Sequence, residues 1–228
     1  MSSALSDLDA REVLDSMYDA LATPVALADG TFDEIVEDVI DATLMIDLPL
    51  EIEAGEYEEL HGVDEDDLRA WLVELLRHEF AAHLAWQQSL GGRPADGDRL
   101  GDAFDELNAR AIVARENFAC CQRCGLAEIR DEDHDAGDDE ARGYVFYHEQ
   151  DTGRRPLYLA FDTPDGSEES RVALGDEVVG VLRDHGLVPE WNRDPGRRIA
   201  VDMDVRRVRR GELADYPDDG GDARSAEV

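Results

Sequence analysis

Apolar residues recur at helical spacing through the first half of the chain and then give way to short β-rich runs. Leu5, Leu8, Val13, Leu14, Met17, Tyr18 and Leu21 follow a period near 3.6 and predict a helix over residues 4–21, ended by Pro24. Ile35, Val36, Val39, Ile40 and Leu44 predict a second over 31–45. The third is the clearest. Leu68, Trp71, Leu72, Leu75, Leu76, Phe80, His83, Leu84 and Gln87 share one face, and Asp64 is placed to cap the start. Glu65, Asp66 and Asp67 suit the positive end of that helix dipole, and Gly91-Gly92-Arg93-Pro94 stops it. Leu100, Phe104, Leu107 and Ile112 mark a fourth helix over 98–114. The acidic stretch 49–62 between the second and third reads as a loop.

After residue 115 the period changes. Tyr144, Val145, Phe146 and Tyr147 make 142–148 a strand, 157–161 a second, and 126–129 a short third directly after a cysteine cluster. The acidic run 130–140 is expected as a surface loop. Residues 174–185 return to helix, with Gly186 as its left-handed terminator and Pro189 beyond it. Residues 188–191 and 198–202 should pair as a hairpin around Asp194-Pro195-Gly196. Helices followed by strands indicate an α+β fold: a helical acidic N-terminal part, then a small mixed or antiparallel sheet domain with one or two packed helices. The boundaries expected are 1–92 for the acidic helical region, 98–204 for the cysteine-motif domain, and 205–228 for a charged, Gly-rich, disordered tail. No internal repeat is visible.

Charge sharpens this picture. The 228 residues carry 56 acidic and 22 basic side chains, a formal net charge of -34, and every basic residue is Arg. Such a surface repels nucleic acid and anionic membranes, since phosphate contacts need local positive charge. A GC-rich coding sequence, a salty cytoplasm and an acidic interaction surface would each produce it. Residues 1–68 hold 21 acidic residues and a single Arg, Arg11. That asymmetry points to a protein partner engaged through the acidic N-terminal half. No run approaches the roughly 18 apolar residues of a membrane span. The start, Met1-Ser2-Ser3-Ala4-Leu5-Ser6-Asp7, lacks the basic and apolar regions of a signal peptide, so a cytoplasmic location is expected.

Two His/Cys patterns bear on chemistry. His78-Glu79-Phe80-Ala81-Ala82-His83 looks like a zinc-protease signature with one residue too many. At about 100° per residue, five positions leave the two imidazoles about 140° apart on a helix, so they cannot share an ion. His83, on the apolar face, is expected in the core.

The cluster Cys120-Cys121-Gln122-Arg123-Cys124-Gly125 is the stronger pattern. A C-x-x-C turn lets two thiolates converge on a metal such as zinc, and a following Gly suits a knuckle with positive φ. A redox dithiol instead needs its first Cys at a helix N-terminus, whereas the expected order here is helix, cysteines, strand. Structural zinc wants four ligands and the chain has three Cys, Cys120, Cys121 and Cys124; His148, His134 or an acidic group would supply the rest. Packed or incidental thiols are the third reading. At the end of the 142–148 strand, His148 and Asp151 suit a metal ligand with its supporting carboxylate, or a general base with its orienting one. The run Arg206-Arg207-Val208-Arg209-Arg210 reads as solvated tail.

Ala114-Arg115-Glu116-Asn117-Phe118-Ala119-Cys120-Cys121-Gln122-Arg123-Cys124-Gly125, followed by Arg142-Gly143-Tyr144-Val145-Phe146-Tyr147-His148-Glu149-Gln150-Asp151-Thr152, resembles an uncharacterised bacterial domain-of-unknown-function family, number 6891. The resemblance covers about residues 98–202 and leaves the acidic half outside; the family's usual Thr before the cysteines is Ala119 here. It implies one domain carrying both motifs and no particular activity. Two functions remain open: a non-enzymatic binding or regulatory protein whose cysteines hold a structural metal or thiol core, and a metal- or thiol-dependent enzyme using the Cys, His and Asp residues.

Overall fold

Asp64 does cap the long third helix: its carboxylate accepts from the backbone N–H of Asp66 and Asp67 at 3.1 and 3.2 Å. A computed structural model describes residues 11–47, 64–135 and 141–217, and the chain divides into two compact units. Met1–Gly92 with Val208–Val228 forms one, and Arg93–Arg207 the other. The loop expected over 49–62 and the last residues, 218–228, lie outside the described residues.

In the first unit, α1 (Arg11–Leu27) runs on past Pro24, which was expected to end it. A proline removes one N–H from the ladder. The turn nevertheless closes, because Asp29 N–H donates to the Pro24 carbonyl at 2.9 Å and Ala28 takes the left-handed conformation (φ 55). The second helix opens with a capping box between Thr31 and Glu34. It starts as α2 (Phe32–Ile35) and continues as wider π-helical turns over Val36–Asp41 and Thr43–Asp47. With α3 (Glu65–Ser89) these bury one apolar core, in which the Phe32 and Phe80 rings meet edge to face at 5.7 Å. His83 is buried in that face as expected, while the His78 side chain is exposed.

The basic run placed in a solvated tail is only partly solvated: Arg210 is exposed, Arg206 and Arg207 are half-buried, and Arg209 is inside. Arg209 is 1% exposed. Its guanidinium donates to the carbonyls of Pro24, Val25 and Gly30, and lies over the Phe80 ring at 4.4 Å. Its backbone N–H and C=O exchange hydrogen bonds with the Gln87 amide at 2.8 and 3.1 Å. The Pro24 and Val25 carbonyls, which also accept from Asp29 and Ala28 N–H, use their second lone pairs at a helix C-terminus, where the dipole favours a cation. Burial pushes the Arg209 pKa down to about 10, still far enough above neutral for the group to stay charged.

In the second unit, α4 (Asp96–Ala109) stops short of the expected 114, and β1 (Ile112–Arg115) follows. Next come α5 (Gln122–Asp135), β2 (Gly143–Phe146), β3 (Leu157–Asp162), α6 (Glu168–Asp184), β4 (Pro189–Glu190) and β5 (Ile199–Val201). The sheet order is β1-β2-β3-β5-β4. The β1–β2 pair is parallel and the rest antiparallel, so the fold is α+β on a mixed sheet. Gly186 (φ 78) ends α6 as expected, and β4 pairs with β5. Residues 126–129, expected as a strand, are helical; they lie within α5, which also takes up the first part of the expected 130–140 loop.

The helices cover both sheet faces. A Cβ on Gly143 would meet Leu174 of α6, and one on Gly125 of α5 would overlap the Phe146 ring. Residues 143 and 146 differ by an odd number and so lie on opposite faces. The exposed edge of β1 is occupied by Asn108, whose side chain accepts from Ala114 N–H at 2.9 Å and donates to the Ala114 carbonyl at 3.2 Å. No helix among the described residues is long and apolar enough to cross a membrane.

Replacing Arg209 with Met should lower the unfolding free energy by about 1–3 kcal/mol, since the Gly30 carbonyl loses its donor and the Pro24 and Val25 carbonyls each lose one of two. A urea titration reads this directly. An unchanged midpoint would show that the buried guanidinium contributes nothing to stability.

Candidate functional site

The cysteines stand where the sheet hands the chain to α5. β1 runs parallel to β2, so the segment between them crosses over one face and brings the start of α5 to the C-terminal end of both strands. Residues 116–121 form a strap there. Phe118 N–H donates to the Tyr147 carbonyl at 2.8 Å, and Glu149 N–H to the Ala119 carbonyl at 3.1 Å. The Thr152 hydroxyl donates to the Asn117 amide oxygen at 2.6 Å. Asn117 and Ala119 both sit at positive φ, 46 and 60. For Ala that conformation costs about 1–2 kcal/mol. The surrounding hydrogen bonds hold it there.

The Cys121 carbonyl accepts from Gly125 N–H at 2.9 Å, the first bond of α5, so Cys121 is the N-cap residue and Cys124 lies in the first turn. This reverses the expected order: the helix follows the cysteines. Gly125 is accordingly not a positive-φ knuckle residue but a helix residue kept small by the Phe146 ring beneath it.

Cys120 is exposed, and Cys121 and Cys124 are half-buried and free. Their three Sγ atoms lie within 4.8 Å of one another. The Cys121 pKa is drawn below the usual thiol value, first by the Cys124 backbone N–H, then by the Cys124 thiol and the Arg123 N–H. Cys124, whose protonated form is favoured by its contacts with the Cys120 and Cys121 sulfurs, is pushed up to about 11.

His148 and Asp151 come together as the sequence suggested. The ring Nε2 is 2.9 Å from Asp151 Oδ2, and both groups are buried. Arg198 joins them from β5's side of the sheet. It donates to the same Asp151 oxygen, sits 3.2 Å from Nε2 and lies over the Tyr158 ring at 4.8 Å. A carboxylate accepting from both neighbours requires the proton on Nε2. That leaves the Nδ1 lone pair, which is buried without a hydrogen-bond partner. Burial lowers the His148 pKa, with Asp151 opposing and Arg198 reinforcing. His148 has extended backbone (φ -106, ψ 166), so strand alternation places it on the face of Tyr144 and Phe146, the face α5 covers. It is nonetheless outside the set of three mutually close sulfurs.

Two neighbours had no local signal. Arg198 reaches Asp151 across 47 residues. Glu116, at the start of the strap, pairs with Arg207 and accepts from the Tyr147 hydroxyl at 3.4 Å. Burial raises the Glu116 pKa despite Arg207, and raises that of Tyr147. Arg207 too was expected in the solvated tail. Of His134, expected as a further donor, the structure describes the helix position and not the side chain.

A family model described as a domain of unknown function (DUF6891) matches residues 10–209. No curated protein and no solved structure matches the chain. The match takes in the acidic helical region that the resemblance had left outside, and it ends at the buried Arg209.

Because the thiolate is the reactive form, a lowered pKa means reaction at lower pH. Site-resolved iodoacetamide labelling should show Cys121 gaining reactivity at a lower pH than Cys124, whose rate should rise only near pH 11. Coincident profiles would contradict this ordering. Gly125→Ala should destabilise the second unit by about 1–3 kcal/mol, because the new methyl overlaps the Phe146 ring; a melting curve equal to that of the parent chain would show that α5 shifts freely.

Proposed function

The chain belongs to the family described as a domain of unknown function (DUF6891), and we propose that this member is a binding or regulatory protein that holds a thiophilic divalent ion, zinc, on Cys120, Cys121 and Cys124. The observation that carries the reading is the convergence of three sulfurs within 4.8 Å. Tetrahedral zinc with bonds of about 2.3 Å holds sulfurs about 3.8 Å apart, so the cluster has only to contract by about an ångström or less. The first-turn N–H groups of α5 favour the negative charge that three thiolates bring. Exposure of Cys120 lets an ion enter.

His148 is the protein donor suited to the fourth position. Its Nε2–H is held by a carboxylate, as in most imidazoles that bind metal, and its Nδ1 is free. In this reading Asp151 orients His148, and Arg198 orients Asp151. With His148 drawn in, the site is closed and structural. With water in that place it is open, which is the form a metal-dependent enzyme would use.

Elemental analysis of untagged protein, purified without chelator, should find close to one zinc per chain, with thiols that react only after denaturation. Three free thiols and no metal would overturn the proposal. Asp151→Asn should weaken zinc by about 10-fold or more if His148 is a ligand. An unchanged affinity, read by chelator competition, would leave the fourth position to water.

A further inference from the structure

We infer that in the metal-free chain Cys121 and Cys124 form a dithiol pair that exchanges with low-molecular-weight disulfides, with Cys121 attacking and Cys124 resolving. The inference uses the cysteine cluster of the metal reading but does not require the ion; bound zinc would block it by occupying both sulfurs.

Three features of the site carry it. The first is position. Cys121 is the N-cap of a 14-residue helix and Cys124 lies one turn on, the arrangement in which unpaired backbone N–H groups stabilise an attacking thiolate. The second is proximity: both sulfurs are free and within 4.8 Å, so a bond of about 2.05 Å needs side-chain rotation and little else. The third is access. None of the three cysteines is buried, so these are not core thiols. The strap is bonded to Tyr147 and Glu149, which holds Cys121 at the sheet end while the sulfurs move. Cys120 is less suited to resolve, because a bridge between adjacent residues closes a strained ring, whereas Cys121 and Cys124 are spaced to share one turn.

The chemistry balances without a further reagent. The Cys121 thiolate attacks one sulfur of the small disulfide, forms a mixed disulfide and releases one thiolate. The Cys124 thiol then gives its proton to solvent and attacks the Cys121 sulfur. This closes the Cys121–Cys124 bond and expels the second thiolate. The protein pair is oxidised and the small disulfide is reduced to two thiols.

The test uses the full chain, reduced, freed of metal with chelator and then mixed with oxidised glutathione, with acid quenching and peptide mapping by mass spectrometry. The expected product is a chain lighter by two hydrogens, with the bridge mapped to Cys121 and Cys124, Cys120 still alkylatable and two glutathiones released. Cys124→Ser should stall as a mixed disulfide on Cys121, and Cys120→Ser should react to completion. A persistent adduct on Cys120 in the parent chain, or no bridge where the denatured chain forms one, would overturn the inference. The outcomes separate it from the metal reading. Exchange without zinc binding refutes the metal alone, and zinc binding without exchange in the metal-free chain refutes the dithiol alone.

Discussion

The parallel pairing of β1 with β2 is the constraint from which the site follows. Parallel neighbours cannot be joined by a tight turn. The chain must leave the end of β1, cross one face as a helix and return to start β2. That route fixes α5 over Tyr144 and Phe146 and delivers its N-terminus to the ends of both strands. Gly125 sets how close the crossing is, because only a residue without a side chain fits over the Phe146 ring. The cysteines reach their position through this crossing, and His148 reaches the same end of the sheet by continuing β2.

Electrostatics then divide the labour there. The N–H groups of the first turn of α5 favour a thiolate at Cys121, while Cys124 keeps its proton. Below the helix, half-buried Arg198 holds buried Asp151, which in turn fixes one imidazole proton of buried His148 and leaves the other nitrogen free. A chain of net charge -34 places two of its arginines, Arg198 and Arg207, against the carboxylates of Asp151 and Glu116 in this unit. Metal capture and disulfide exchange draw on the same thiols, so whichever operates must exclude the other at any moment.

Arg209 does comparable work within the first unit. Its guanidinium occupies the carbonyl end of α1 and the face of Phe80, and Gln87 of α3 holds its backbone. Hydropathy alone places an Arg-rich run outside. Its aliphatic stem and planar head instead suit a site lined by carbonyls and one aromatic ring, where the helix dipole favours the charge.

The sequence by itself determined the local features: the apolar stripes of α1 and α3, the Asp64 cap, the Gly186 terminator, the β-rich run around Tyr144 to Phe146, the pairing of β4 with β5, and the closeness of His148 to Asp151. Each depends on residues within about a dozen positions of one another, the range over which periodicity, capping and turn chemistry act. The tertiary structure decided that residues 126–129 are helix, because α5 is stabilised by burying Gly125 and Ile129 on β2 rather than by propensity. It decided that Cys121 starts a helix instead of ending one, that Asp151 is shared with Arg198, and that Arg207 and Arg209 are built into their units. These outcomes depend on partners from 21 residues away (Gly125 on Phe146) to 185 (Arg209 on Pro24) in the chain. No local pattern encodes such contacts, since the energy that selects them arises only when the distant surfaces meet.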